Sequence, residues 1–155
     1  MKTLMLSLLI LVSQSLFANE PVSTSFWNNI AIGKHDSLGY YQPGLTGSTA
    51  TEKGSENFVV EWQGAQWRFA NQASADKFAQ DPRAYAPRYN GHCANALSLG
   101  EGLINTDGKV WEFFGGKLHL FYAERGRQRW LKGDWQRYQL EADKAWQEEL
   151  KRQGN

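Results

Sequence analysis

"EWQGAQWRFANQASADKFAQDPRAYAP", residues 61–87, changes its hydrophobic period twice, and those changes set the fold class. Just upstream, Phe58, Val60 and Trp62 alternate with Val59 and Glu61. Gly64 marks a turn, and Trp67 and Phe69 then alternate with Arg68. Period-two patterning on both sides of a glycine predicts a β-hairpin. From Asn71 to Ala79 the spacing lengthens to that of a helix, with Asn71 or Ser74 available as its cap and Phe78 turned back toward the hairpin. Pro82 and Pro87 then stop and restart the chain, and Asp81 reads as a turn or cap residue before Pro82.

Working outward, residues 43–55 are rich in Gly, Ser and Thr and read as a loop. "GHCANALSLG" (91–100) predicts a short helix begun near Gly91 and closed at Gly100. "KVWEFFGGKLHLFY" (109–122) predicts a second hairpin with Gly115-Gly116 as its two-residue turn. From Glu124 to Gln153, Leu131, Trp135, Tyr138, Ala142, Trp146 and Leu150 recur at three- and four-residue intervals. That is one long amphipathic helix, with Gly133 as the place where it can break. No repeat of 20–50 residues is present. The expected fold is α+β: two β-hairpins, short helices between them, and a C-terminal helix covering one face.

The chain of 155 residues suits one domain. It opens with a charged Lys2, an apolar run from Leu4 to Val12 and a cleavage site at Ala18. This is the pattern of a signal peptide over residues 1–18, too short for a membrane span. Residues 19–29 are then an N-terminal segment and 30–150 the domain, placed in the periplasm or secreted. Loss of Lys2 lowers the 17 basic residues by one, to match the 16 acidic ones. A neutral chain gives nucleic-acid binding no support. Arg125, Arg127, Arg129 and Lys132 form a local basic run, expected on a solvated helix face. Cys93 is the one cysteine. In a disulfide-forming compartment it must be buried, metal-bound or paired with another molecule.

Residues 61–87 resemble the core of the YHS domain, an aromatic–Gly–aromatic–Phe hairpin, a helix with Phe, then Asp-Pro-x-x-Tyr. Glu61, Trp62, Gly64, Trp67, Phe69, Phe78, Asp81, Pro82 and Tyr85 fill those positions. "KHDSLGYY" (34–41), "YNGHCANAL" (89–97), "GGKLHLFY" (115–122) and the Trp130 to Trp146 segment resemble further stretches of exported single-domain YHS proteins. The resemblance runs from about residue 30 to Trp146. It implies a treble-clef-like core and a metal-binding ancestry. The Phe-Cys-Ser-x-x-Cys thiolates of the relatives in metal-transporting ATPases fall here on Phe69, Ala70, Asn71 and Ser74, so both cysteines are absent.

His35, His92 and His119, all the histidines of the chain, stand where the related exported proteins carry tyrosine. With Cys93 they form a candidate ligand set for a transition metal ion, copper before zinc, since thiolate and imidazole suit such ions. His119, fixed in direction by a strand pleat, is the expected first nitrogen partner of Cys93, and His92 the weakest. The competing reading makes Cys93 a buried core residue and the histidines ordinary hydrogen-bonded side chains. A Cys–His hydrolase would need His35 or His119 as base and Asp36 to orient it, and no carboxylate spacing marks an acid–base pair. The expectation is a non-enzymatic exported protein that binds a metal ion or small ligand near Cys93. The alternative is an interaction module that docks a partner through its terminal helix.

Overall fold

The structure, a computed structural model, describes residues 18–47 and 49–154. The expected signal peptide lies, except for Ala18, outside the described residues. The architecture is α+β with two antiparallel hairpins in separate sheets and a long C-terminal helix. β1 (Ser55–Trp62) pairs with β2 (Ala65–Phe69), and β3 (Val110–Phe114) with β4 (Lys117–Phe121). Each turn has two residues at positive φ, Gln63 (51°) and Gly64 (70°) in the first, Gly115 (57°) and Gly116 (75°) in the second. Such turns follow the twist of the paired strands, which is why glycine sits there and why the register is fixed.

The helices start and stop on side chains. Asn71, not Ser74, caps α1 (Gln72–Gln80): its Oδ1 accepts from the Ser74 N–H at 2.9 Å. Asp81 ends α1 and caps α2 (Pro82–Tyr85), accepting from the Ala84 N–H at 3.2 Å. Pro82 takes the first turn, where its missing N–H leaves nothing unpaired. A turn of 3₁₀ helix covers Ser37–Tyr41, while Ile32–Lys34 and Arg88–Gly91 are tight turns built on left-handed residues. α3 (Ala94–Ser98) begins later than Gly91, because Cys93 is its cap.

The C-terminal segment is two helices, α4 (Glu124–Lys132) and α5 (Trp135–Gln153). Gly133 is extended between them, and Asp134 restarts the helix by accepting from the Arg137 N–H at 3.1 Å. Of the basic run on α4, Arg125 and Lys132 are solvated as expected, whereas Arg127 and Arg129 are not. Arg127 is only 7% exposed and pairs with Glu112 of β3 at 2.7 Å and Glu124 at 2.6 Å. Arg129 lies 3.7 Å over the Tyr138 ring and donates to Asn95 and Ser98, tying α4 to both α5 and α3. These arginines act as clamps within the fold.

Apolar side chains gather in two clusters. The first holds Ile32, Tyr40, Trp67, Phe69, Phe78 and Trp111 with Leu118 and Leu120. The second holds Tyr89, Leu97, Phe114, Phe121, Trp130 and Trp146. The β3–β4 hairpin belongs to both: alternate residues of β4 put Leu118 and Leu120 into one and Phe121 into the other. Residues 20–24 pack onto this body, with Ser23 wholly buried and bonded to Asn90 and Thr106, while residues 25–29 are exposed.

Phe69 touches Phe78 at a ring separation of 5.0 Å and is fully buried. Phe69→Ala should therefore cost about 3–5 kcal/mol in denaturant unfolding, the range for truncating a buried aromatic. A loss below about 1 kcal/mol would show that the first cluster is not what holds the hairpin to α1.

Candidate functional site

The four expected ligands occupy three environments. Cys93 caps α3, and its Sγ accepts from the Ala96 N–H at 3.5 Å and the Tyr122 N–H at 3.3 Å. It is buried at the edge of a 450 Å³ cavity that Glu101, Ile104, Tyr122 and Arg125 also line. His119 sits at the other face of β4 from the leucines, as a strand pleat requires, but that face is covered by α4. Its ring lies 5.3 Å from Trp130, 5.6 Å from Phe114 and 6.0 Å from Tyr89. His119 Nδ1 donates to the Lys117 carbonyl at 2.8 Å, which leaves Nε2 as a bare acceptor without a partner.

His92 bonds the Tyr89 carbonyl through Nδ1 at 2.9 Å and lies 6.0 Å from the Trp146 ring. His119 thus touches Tyr89, His92 touches Trp146, and Tyr89 and Trp146 touch each other. His35 is elsewhere, beside Tyr40. Lys53 donates to its Nε2 at 2.9 Å, so its Nδ1–H faces Thr51 Oγ1 at 2.7 Å. The four side chains do not assemble around one point. Among the described residues no group of three or more His, Cys, Asp or Glu side chains is disposed to hold a metal ion.

Burial holds all three imidazoles below their ordinary range, because a charged ring loses its hydration. His35 is lowered to about 4, by burial first and then by the Lys53 ammonium. His119 is lowered to about 4 by burial and less by Arg88, while the Lys117 carbonyl and Asp143 act against it. His92 is lowered by burial, opposed by the Tyr89 carbonyl and Glu149. Each is a neutral ring at neutral pH.

A cleft that the sequence reading missed opens where the two clusters meet. It has a volume of 360 Å³, and Trp62 and Trp146 line it with Arg83, Arg88, Lys117 and Asp143. The backbone beneath it is strained: Tyr89 (φ 58°) and Asn90 (φ 49°) are consecutive non-glycine residues in the left-handed region, a conformation that costs on the order of 1–3 kcal/mol per residue. That geometry sends the Tyr89 hydroxyl to Asp143 at 2.8 Å and the Asn90 amide to Glu20 at 3.2 Å. Both carboxylates also hold an arginine, Asp143 with Arg88 at 2.6 Å and Glu20 with Arg83 at 2.9 Å. Lys117 lines the same cleft, and among the described residues no carboxylate lies within ion-pair distance of it. The one sequence signal for this site is the doubled Pro-Arg at 82–83 and 87–88.

Comparison of the chain with protein-family models, with curated proteins and with solved structures finds no match in any of the three.

The depressed histidines set a pH window. In the unfolded chain they take up protons near 6.5, whereas folded His119 and His35 do so only near 4. Between those values the unfolded state binds more protons, so stability is fully present above about 6.5 and falls as pH drops toward 4. For His119 alone the whole window is worth on the order of 3 kcal/mol. Urea midpoints should therefore fall between about pH 7 and about pH 5, and His119→Asn, which keeps a donor toward Lys117, should flatten that slope. Equal slopes in both proteins would mean that His119 is not held neutral.

Proposed function

We propose that this chain is a non-catalytic binding protein whose cleft takes a small molecule joining an anionic group to a flat apolar ring. The observation that carries this reading is Lys117. The cleft's two carboxylates are already matched by their own arginines, and Lys117 is a third cation with no carboxylate partner among the described residues. A carboxylate or phosphate would complete that charge set through Lys117, acting as a point charge. Trp62 and Trp146 contribute apolar wall to the cleft, against which a ring would pack. A leader at residues 1–18 and the resemblance to exported YHS proteins support a place in the periplasm or outside the cell. Phenyl phosphate should quench tryptophan fluorescence saturably, benzylamine should not, and Lys117→Ala should weaken the phosphate by about tenfold. Absence of saturation, or equal affinity in Lys117→Ala, would overturn the assignment.

A second reading keeps the ligand as a transition metal ion, copper before zinc, bound near Cys93. The observation in its favour is His119 Nε2, a neutral imidazole nitrogen with a free lone pair and no hydrogen-bond partner. His92 and His35 have their Nδ1 engaged, and His35 has both nitrogens engaged. Copper(I) titrated into reduced protein against a competing chelator should load about one ion per chain. Cys93→Ser and His119→Ala should each weaken it, and equal affinity across all three proteins would remove this reading.

A further inference from the structure

We propose that the loop from Thr24 to Ala31 docks this protein on a lipid surface bearing anionic headgroups. The loop carries Phe26 and Trp27 at its tip, 87% and 89% exposed, with their rings edge-on at 4.8 Å. Two adjacent aromatics this exposed are unusual in a fold whose other tryptophans are buried or half-buried.

Their exposure is built in. The loop is closed by the Thr24–Ala31 bridge, and Asn28 Oδ1 accepts from the Ile30 N–H at 3.0 Å. The Asn29 carbonyl accepts from the Gln66 N–H at 2.7 Å, while the Asn29 amide donates to the Gly64 carbonyl, so the first hairpin's turn holds the loop's base. The base of the loop is thus pinned to the body, and both aromatics at its tip stay exposed to solvent.

The charge distribution identifies the partner. Residues 21–33 contain no charged side chain. At the base of the loop three lysines surround Gly33: Lys34 follows it, Lys53 donates to its carbonyl at 2.9 Å, and Lys109 pairs with Asp107 at 2.9 Å. Lys34, Lys109 and Asp107 all lie near enough to act on the Lys53 charge. Phe26, Gly33, Asp107 and the exposed Tyr122 line one 490 Å³ hollow, so the two residues that Lys53 and Lys109 hold, Gly33 and Asp107, lie on the same side as Phe26.

An uncharged aromatic tip above a cationic base matches the layering of a bilayer interface. Trp and Phe prefer the boundary between headgroups and chains, and lysines prefer the anionic phosphates outside it. A narrow prong also suits a penetrable surface better than a rigid protein face, which calls for a broad complementary patch. The proposed contact is peripheral, by insertion of the loop tip into the interface.

The test is flotation of the protein with vesicles of phosphatidylglycerol mixed with phosphatidylethanolamine, against vesicles of phosphatidylcholine alone. The wild type should float with the anionic vesicles, show a blue shift of tryptophan emission that the variant lacking Trp27 does not, and detach as salt is raised. The double variant Phe26→Ser/Trp27→Ser, altered only at exposed positions, should keep the wild-type melting temperature and bind about tenfold more weakly or less. Lys34→Glu should weaken binding in the same direction. Failure of the wild type to float, equal flotation on both vesicle types, or undiminished binding by the double variant would each overturn the proposal. So would self-association through the aromatic pair, seen by sedimentation without vesicle binding.

Discussion

The β3–β4 hairpin is buried on both faces, and the rest of the molecule is arranged around that constraint. Leu118 and Leu120 enter the cluster built by the first hairpin and α1, while His119 and Phe121 enter the cluster built by α3, α4 and α5. A two-stranded ribbon alone in water is marginal. This one gains apolar cover from two sides, and in exchange it makes each side depend on the other. The Arg127 clamp on Glu112 ties the ribbon's edge to α4 and fixes which face α4 covers. The cleft follows from the same arrangement, since it lies in the seam where two packed bodies share one wall: Trp62 packs on the first cluster, and Tyr89 and Trp146 belong to the second.

Connections across that seam are short and bent. Ile32, Gly33 and Lys34 all have positive φ, as do Tyr89, Asn90 and Gly91. These two runs meet, because a Cβ on Gly91 would lie 2.4 Å from the Ile32 side chain. Left-handed residues other than glycine persist only where surrounding contacts over-determine them. Here Ser23 supplies such contacts, donating through its N–H to the Asn90 carbonyl and accepting from the Ile32 N–H, both bonds near 3 Å. Strain in the cleft floor and the buried Ser23 network are therefore parts of one device, which fixes Tyr89 and Asn90 toward the two carboxylates.

Much of the fold was legible because local signals and tertiary placement agree. Alternation around Gly64 and around Gly115-Gly116 marks both hairpins, Asp81 caps as a residue before Pro82 should, and Gly133 breaks the terminal helix. Asp36 and Tyr40, quoted for the family resemblance, prove to be structural. Asp36 accepts the N–H groups of Leu38 and Ala70, and the Tyr40 hydroxyl donates to the Gly108 carbonyl. Less of the candidate site was legible. Period-two reasoning assumes one solvated face, so it could not show that α4 covers His119. The cleft draws Glu20, Trp62, Arg83, Lys117 and Asp143 from separate segments of the chain, and no spacing within one element brings such residues together. The basic run on α4 misled for a related reason: arginine stems and forks serve interior clamps as well as solvent.

Of the buried polar atoms left unpartnered among the described residues, all but Ser37 Oγ lie in or over the second cluster, and they explain why His119 stays neutral. His119 Nε2, Trp130 Nε1 and Gln139 Oε1 are buried without hydrogen-bond partners, and each such atom costs about 1–3 kcal/mol. His119 and Trp130 are ring neighbours in that cluster, and Gln139 belongs to α5, which packs over it. Protonating His119 would turn Nε2 from an unmet acceptor into an unmet donor and add a charge within a cage of Phe114, Trp130 and Tyr89. The ring would lose hydration and find no carbonyl or carboxylate bonded at that nitrogen in return. Nδ1 is already committed to the Lys117 carbonyl, so turning the ring over would exchange one unmet group for another. The imidazole is thus held in one tautomer and one charge state by the same two-sided burial that lets the hairpin stand.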